Sequence, residues 1–226
     1  MAKHTFPNAP EMWKRYVDMY IEIFAIAIEL LAKSSCDKCD EPTISLALCP
    51  ILSDVCFKES KNRNYNIPTP NWENPIQPIR GDDLNEGRIG KRPDFTCTLT
   101  NHMATSIDKF EISLHVECKR LGMPTSTTWL LNENYVTNGI MRFDSIEHGY
   151  GNRAFSGLMI GYIVSMTPEC ILKEVNSYQK KHCKENPAIK YIEKRSNVQF
   201  YEQILRRRNL KPSVFHLAHL WVEMQK

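Results

Sequence analysis

Asp94, Glu117 and Lys119 are the residues of this chain whose types and spacing promise chemistry. Asp94, Thr96 and Thr98 alternate with Phe95, Cys97 and Leu99 along Arg92–Leu99. In Glu111–Lys119, the residues Glu111, Ser113, His115, Glu117 and Lys119 alternate with Ile112, Leu114, Val116 and Cys118. Period-two alternation marks a strand with one buried face. Paired as neighbours, the two strands set Asp94 beside Glu117, and carboxylates that close repel unless something positive lies between them. A hard divalent cation suits such a pair, because Mg²⁺ takes oxygen ligands and keeps several waters; Mn²⁺ would substitute. Lys119, a compact point charge, would then orient or activate an attacking water, or stabilise charge on a phosphate. The competing reading is a solvated strand face whose surface ion pair is worth under ~1 kcal/mol. The apolar flanks Val116 and Cys118, and the Pro-Asp that opens the preceding strand, favour the site.

Pro93-Asp94 followed by Glu117-Cys118-Lys119 in a hydrophobic strand resembles the PD-(D/E)XK motif of the restriction-endonuclease-like nuclease superfamily. The resemblance implies an α/β fold, with a central mixed sheet flanked by helices and an N-terminal helical extension to a restriction-endonuclease-like core. It also implies a metal-dependent endonuclease that hydrolyses DNA phosphodiester bonds. Asp94 and Glu117 would hold Mg²⁺, the Cys118 carbonyl would be a further ligand, and Lys119 would serve the attacking water. In this superfamily a glutamate on a helix before the Pro-Asp strand often reaches the metals. That role falls to Glu41, with Glu22 and Glu59 as rivals. The run from Tyr135 through Arg142 and Tyr150 into the next strand resembles, more loosely, segments that follow the Glu-x-Lys strand in bacterial members.

The elements that must position these residues read as one domain over 1–226. Residues 1–60 form N-terminal helices, 61–91 a long loop, and 92–226 the sheet core with C-terminal basic helices. Pro10–Lys33 is a helix, since Trp13, Val17, Tyr20, Ile21, Phe24, Ile28 and Leu31 recur at three- and four-residue spacing. Glu41-Pro42 opens a second helix to about Ser60, where an acidic residue and a proline suit a first turn. Lys61–Arg92 is rich in Asn, Pro, Gly and charge, and reads as a surface connection that is mobile near the site. Asn132–Phe143 reads as a helix carrying Arg142, a candidate contact for phosphate or carboxylate, with Gly139 marking a close approach. Gly157–Met166 is apolar throughout, as expected of a strand buried on both faces. Thr167 and Pro168 open a further helix. Asn197–Asn209 reads as a short helix ending in Arg206, Arg207 and Arg208, which are candidate nucleic-acid contacts or partners of the helix dipole. Val214–Met224 closes the chain as a strand, on which His216 and His219 face opposite sides.

The chain has 226 residues, 42% hydrophobic and 24% charged, which is ordinary globular composition. No run of about eighteen apolar residues exists, so no membrane span is expected, and neither is a signal peptide. Eight scattered cysteines fit free thiols in the cytoplasm. Cys36-Asp37-Lys38-Cys39 has zinc-ligand spacing, but its nearest partners, Cys49 and Cys56, lie in an apolar run and repeat no knuckle, so reduced cysteines are expected. Residues 173–211 hold eleven Lys or Arg against four Glu, a balance of +7 in a chain whose net charge is +3. Such a segment is an electrostatic footprint for phosphates. Neither a phosphate-binding glycine loop nor a Gly-x-Ser-x-Gly elbow occurs. The expected partner is nucleic acid, with DNA favoured. The protein would act as a homodimer or beside a partner protein, in restriction or anti-phage defence. The alternatives are an RNA-directed nuclease and a non-catalytic nucleic-acid-binding or scaffold subunit of the same fold.

Overall fold

The computed structural model describes residues 9–33, 40–208 and 210–224. Four α-helices flank one seven-stranded mixed sheet. In chain order the elements are α1 (Ala9–Ala32), α2 (Glu41–Arg63), β1 (Asn71–Trp72), β2 (Phe95–Thr100), β3 (Glu111–Leu121), α3 (Leu131–Thr137), a 3-10 turn (Ile140–Phe143), β4 (Ser156–Ile163), α4 (Pro168–His182), β5 (Lys190–Arg195), β6 (Val198–Arg206) and β7 (Val214–Glu223). The strands lie in the order β1-β2-β3-β4-β7-β6-β5. β3, β4 and β7 run parallel at the centre, and the remaining pairings are antiparallel.

The central strands are buried on both faces. On one face Val116, Cys118, Leu158, Ile160 and Tyr162 pack with Tyr20, Phe24, Ile28 and Leu31 of α1 and with Leu48 and Leu52 of α2. On the other, Leu121, Met159, Ile163 and Trp221 pack with Tyr135 and Val136 of α3 and with Ile171 and Val175 of α4. Alternating side chains on β4 thus serve opposite layers, as the period of two requires. The apolar spacing of α1 dictates its place, since a helix apolar over most of its circumference is stable only when covered. α2 starts where Asp40 accepts from the Thr43 N–H at 3.0 Å, a side-chain cap that fixes the position of Glu41.

Three expectations are corrected. The stretch expected as a helix over Asn197–Asn209 is strand over Val198–Arg206. Val198–Arg206 pairs with β7 over its whole length, with Tyr201, Gln203 and Leu205 inward and Glu202, Ile204 and Arg206 outward. The signal for this is the hairpin turn at Ser196, whose φ of 52° ends β5 and starts β6. The helix expected over 132–143 breaks at Gly139. A Cβ there would lie 2.4 Å from the Tyr135 carbonyl oxygen and 2.6 Å from Met159 Cε. The chain tightens into the 3-10 turn that carries Arg142. The long connection is also pinned rather than loose. Asp82 is half-buried with its carboxylate covered, takes the Ile79 N–H at 2.8 Å, pairs with Arg88 at 2.8 Å and pairs with Arg153 as well. Ile76 and Lys91 are joined by a main-chain bond of 2.8 Å.

Cys36 and Cys39 lie outside the described residues, and the six described cysteines are free thiols. No helix among the described residues is long and apolar enough to cross a membrane.

Candidate functional site

The β2–β3 register decides the site. Phe95 pairs with Val116, so Asp94, one residue before β2, falls opposite Glu117. Beyond this pair β2 has ended, and the ladder edge of β3 is left open. Carboxylates continue it. Asp94 Oδ2 accepts from the Cys118 N–H at 2.6 Å, and Glu41 Oε2 accepts from the Arg120 N–H at 3.3 Å. Buried main-chain donors need partners, and acidic side chains supply them where the neighbouring strand stops.

Lys119 sits among these acids. Its Nζ donates to Glu41 Oε1 at 2.6 Å, to Glu117 Oε1 at 2.7 Å and to the Cys118 carbonyl at 2.7 Å, which uses all three of its donors. Glu41 therefore reaches the cluster from the opposite helical layer. Its rivals do not: Glu22 pairs with Arg195 and Glu59 with Arg63. Arg142 pairs with Glu117 Oε1, and its guanidinium lies 5.9 Å from the centre of the Tyr150 ring. Of its two expected roles, the geometry gives it the carboxylate contact.

Glu117 is fully buried, and its Oε2 has no hydrogen-bond partner among the described residues. Burial raises its pKa, repulsion from Asp94 raises it further, and Lys119 and Arg142 offset this only in part, leaving it at about 8. Burial likewise pushes the Asp94 carboxyl up against the pull of Lys119 and of the Cys118 N–H. Burial disfavours the Lys119 ammonium, but the carboxylates of Glu117, Glu41 and Asp94 outweigh it and hold the pKa above the ordinary lysine value. Three acids thus face two cations in a largely buried cluster, and the excess of acid is met by raised carboxyl pKa values.

This donor set fits a hard divalent cation. Asp94 and Glu117 supply carboxylate oxygens, the orphaned Glu117 Oε2 lacks only a positive partner, and the Cys118 carbonyl faces the open edge. Among the described residues no three His, Cys, Asp or Glu side chains group as a metal cage. A softer, cysteine-seeking ion is not favoured here, because the Cys118 thiol packs into the α1–α2 core.

The arginines of the basic segment separate into three cases. Arg207 is buried and donates to the carbonyls of Phe143, Tyr150, Gly151 and Pro212. It staples the turn that carries Tyr150 and is withdrawn from solvent. Arg208 pairs with Glu185, and Arg206 is exposed at the end of β6. Both line a groove of about 430 Å³ with Lys181, His182, Lys184 and Asn186.

Sequence reasoning passed over Tyr150 as a site residue and over the Asp82–Arg88–Arg153 cluster. These are single residues in turns, brought together across 71 positions for Asp82 and Arg153, and no local period marks them. No family model, curated protein or solved structure matches this chain.

Proposed function

We propose that this protein is a metal-dependent endonuclease that hydrolyses nucleic-acid phosphodiester bonds, DNA in the first instance, with a restriction-endonuclease-like core and the PD-(D/E)XK residue set. The observation that carries the reading is the register that sets Asp94 opposite Glu117 at the open edge of β3, with the Glu117 Oε2 left without a partner among the described residues. The element order supports it as well: a helix bearing Glu41, three antiparallel strands, a crossover helix and a parallel strand.

Mg²⁺, when bound, would polarise the phosphoryl oxygen and favour the attacking nucleophile. Asp94, Glu117 and the Cys118 carbonyl would hold it. Lys119, held at a raised pKa, stays an ammonium and places a fixed positive charge where the phosphate gains negative charge in the transition state. Glu41 holds that ammonium in place through its 2.6 Å bond. Arg142 balances Glu117 and is steadied by Tyr150. Cations in the groove of Arg206, Arg208 and Lys184 would steer the polyanion. A homodimer or a partner protein in a defence assembly would supply sequence specificity, for which one small domain has little room.

A second reading, a non-catalytic nucleic-acid-binding scaffold, draws on Arg142, whose guanidinium already occupies one oxygen of Glu117. Incubating the purified protein with plasmid DNA and structured RNA, in Mg²⁺, Mn²⁺ and EDTA, separates the readings. Metal-dependent cleavage that EDTA abolishes is expected. Binding without cleavage in either metal supports the scaffold, and faster cutting of RNA than of DNA reassigns the substrate.

A further inference from the structure

One face of the β2–β3 pair carries more than the two carboxylates. Thr96 pairs with His115 and Thr98 with Ser113. Residues opposite one another share a face, as do residues two apart on one strand, so these four lie on the face of Asp94 and Glu117. The Thr96–His115 pair is the next one along, about 7 Å away by strand rise. All four side chains line a cavity of about 160 Å³. A second wall comes from the long connection, as the half-buried apolar residues Pro75, Ile76 and Ile79. That wall is pinned by the main-chain bond between Ile76 and Lys91 and by the Ile79 N–H on Asp82, both 2.8 Å. Tyr150 joins the cavity to the acid cluster. Its ring meets that of His115 edge-on, 5.6 Å between centroids, and the Arg142 guanidinium that pairs with Glu117 lies 5.9 Å from it.

Two groups on the strand side have hydrogen bonds left to make. The Gly151 N–H donates to His115 Nδ1 at 3.1 Å, which leaves the ring proton on Nε2, and that N–H has no partner among the described residues. Thr96 Oγ1 has none either. Both residues are over nine-tenths buried, at 7% and 5% exposed, and buried polar groups without partners are rare. Beside them Thr98 and Ser113 present hydroxyls 3.3 Å apart. The two cations of the lining are already paired within the protein, Arg88 with Asp82 and Glu86, and Arg153 with Asp82. With Glu111 also in the lining, no net positive charge is left to hold a phosphate. The cavity is thus polar on its strand side and apolar on the other. A sugar, with hydroxyls all round, suits such walls poorly. A nucleobase has apolar faces and a hydrogen-bonding edge, which match them. The volume suits one ring system, being well below the roughly 300–1,000 Å³ of drug-sized pockets. In a duplex the edge is paired and the faces are stacked, so a base must leave the stack to enter.

We propose that this cavity receives one unstacked nucleobase of the nucleotide whose phosphate lies at Asp94 and Glu117, so that cleavage falls beside a base that can leave its stack. The ligand class rests on the nuclease reading, but binding can be tested without cleavage. The full chain in EDTA is titrated with each of the four deoxynucleosides, with 2-deoxyribose and with inorganic phosphate, and binding is followed by saturation-transfer NMR. At least one deoxynucleoside is expected to bind, with its base protons receiving the saturation, and neither the sugar nor the phosphate should displace it. T98V with S113A removes both members of the hydroxyl pair, so neither is orphaned, and should weaken that binding about tenfold. S113L, which fills the cavity, should abolish it. Circular dichroism and urea midpoints of the double variant should match wild type, and the double variant decides the matter if S113L does not fold. Absence of nucleoside binding, unchanged affinity in the double variant, or displacement of the nucleoside by deoxyribose or phosphate overturns the proposal. Nucleoside binding that the variants weaken, in a protein that cuts nothing in Mg²⁺ or Mn²⁺, overturns the nuclease reading alone. Cleavage without nucleoside binding overturns the cavity proposal alone.

Discussion

The Asp82 and Glu117 carboxylates each meet two cations, one half-buried and the other fully buried, yet the fold shifts them in opposite directions. Desolvation disfavours both charges. Asp82 overcomes it with the Ile79 N–H, Arg88 and Arg153, which lower its pKa to about 2. Glu117 has Lys119 and Arg142, but Asp94 repels it, one of its oxygens has no partner among the described residues, and its pKa rises to about 8. The difference separates a staple from a site. A buried charge whose hydrogen bonds are complete holds structure together, whereas one left incomplete is poised for a ligand of opposite charge. Asp82 ties the long connection to the turn at Arg153, and Glu117 is left one hydrogen bond short among the described residues.

The largest effect should come from the incomplete cluster and appear in activity. Asp94→Ala and E117Q are each expected to slow cleavage by about 1,000-fold, about 4 kcal/mol of transition-state stabilisation, in single-turnover assays on plasmid DNA. Near wild-type rates in both variants would remove the metal site from this strand pair. Next in size is the staple. Asp82→Ala should destabilise the fold by about 3 kcal/mol in urea titrations, because it leaves Arg88 and Arg153 short of their shared partner. Asp94→Ala should cost less, about 1 kcal/mol, because the relieved repulsion with Glu117 offsets part of the penalty of leaving the Cys118 N–H unpaired. A larger loss of stability in Asp94→Ala than in Asp82→Ala would reverse the comparison.

A smaller effect concerns pH, with opposite signs for the two groups. The Glu117 carboxyl ordinarily titrates at 4.5 and in the fold at about 8, so in between the folded state keeps a proton that the unfolded chain has released. Its contribution to stability is complete below pH 4.5 and is lost as pH rises toward 8. For Asp82 the folded value of about 2 lies below the ordinary 3.8, so its contribution is present above pH 3.8 and is lost as pH falls toward 2. Urea midpoints of metal-free wild type and E117Q should agree near pH 5 and diverge near pH 8, with E117Q higher. Mg²⁺ should raise the wild-type midpoint near pH 8 and leave that of E117Q nearly unmoved. A pH-independent gap between the two proteins would mean that Glu117 ionises normally.

The smallest effect belongs to the groove cations. R206Q with R208Q should flatten the log–log salt dependence of duplex binding by about 0.9 per lost phosphate contact, with unfolding midpoints unchanged. R207Q should do the reverse, lowering the midpoint and sparing the slope, because Arg207 spends its donors on carbonyls.

Much of this was legible before any coordinates. The alternation around Asp94 and Glu117 is local, and two strands of fixed period bring those residues into register once they pair. The apolar spacing of α1 and the Thr167-Pro168 helix start are local too, and the helix that begins at Pro168 is found as read. The basic C-terminal stretch was misread because Phe200, Ile204 and Leu205 mimic a helical stripe, while the deciding fact, pairing with β7, is a contact with a segment further along the chain.

Residue types and short periods thus determined the chemistry on offer: two carboxylates, a lysine between buried flanks, a basic segment and an apolar first helix. Tertiary structure alone decided which helix glutamate joins the cluster, that Arg142 meets a carboxylate, and that Arg207 is a staple. The reason is the range of the forces. Side-chain alternation and helix propensity act within a few residues and can be read along the chain. Desolvation and Coulomb energies depend on neighbours tens of residues away, such as Glu41 and Lys119 across 78 positions, and only the folded packing sets those distances.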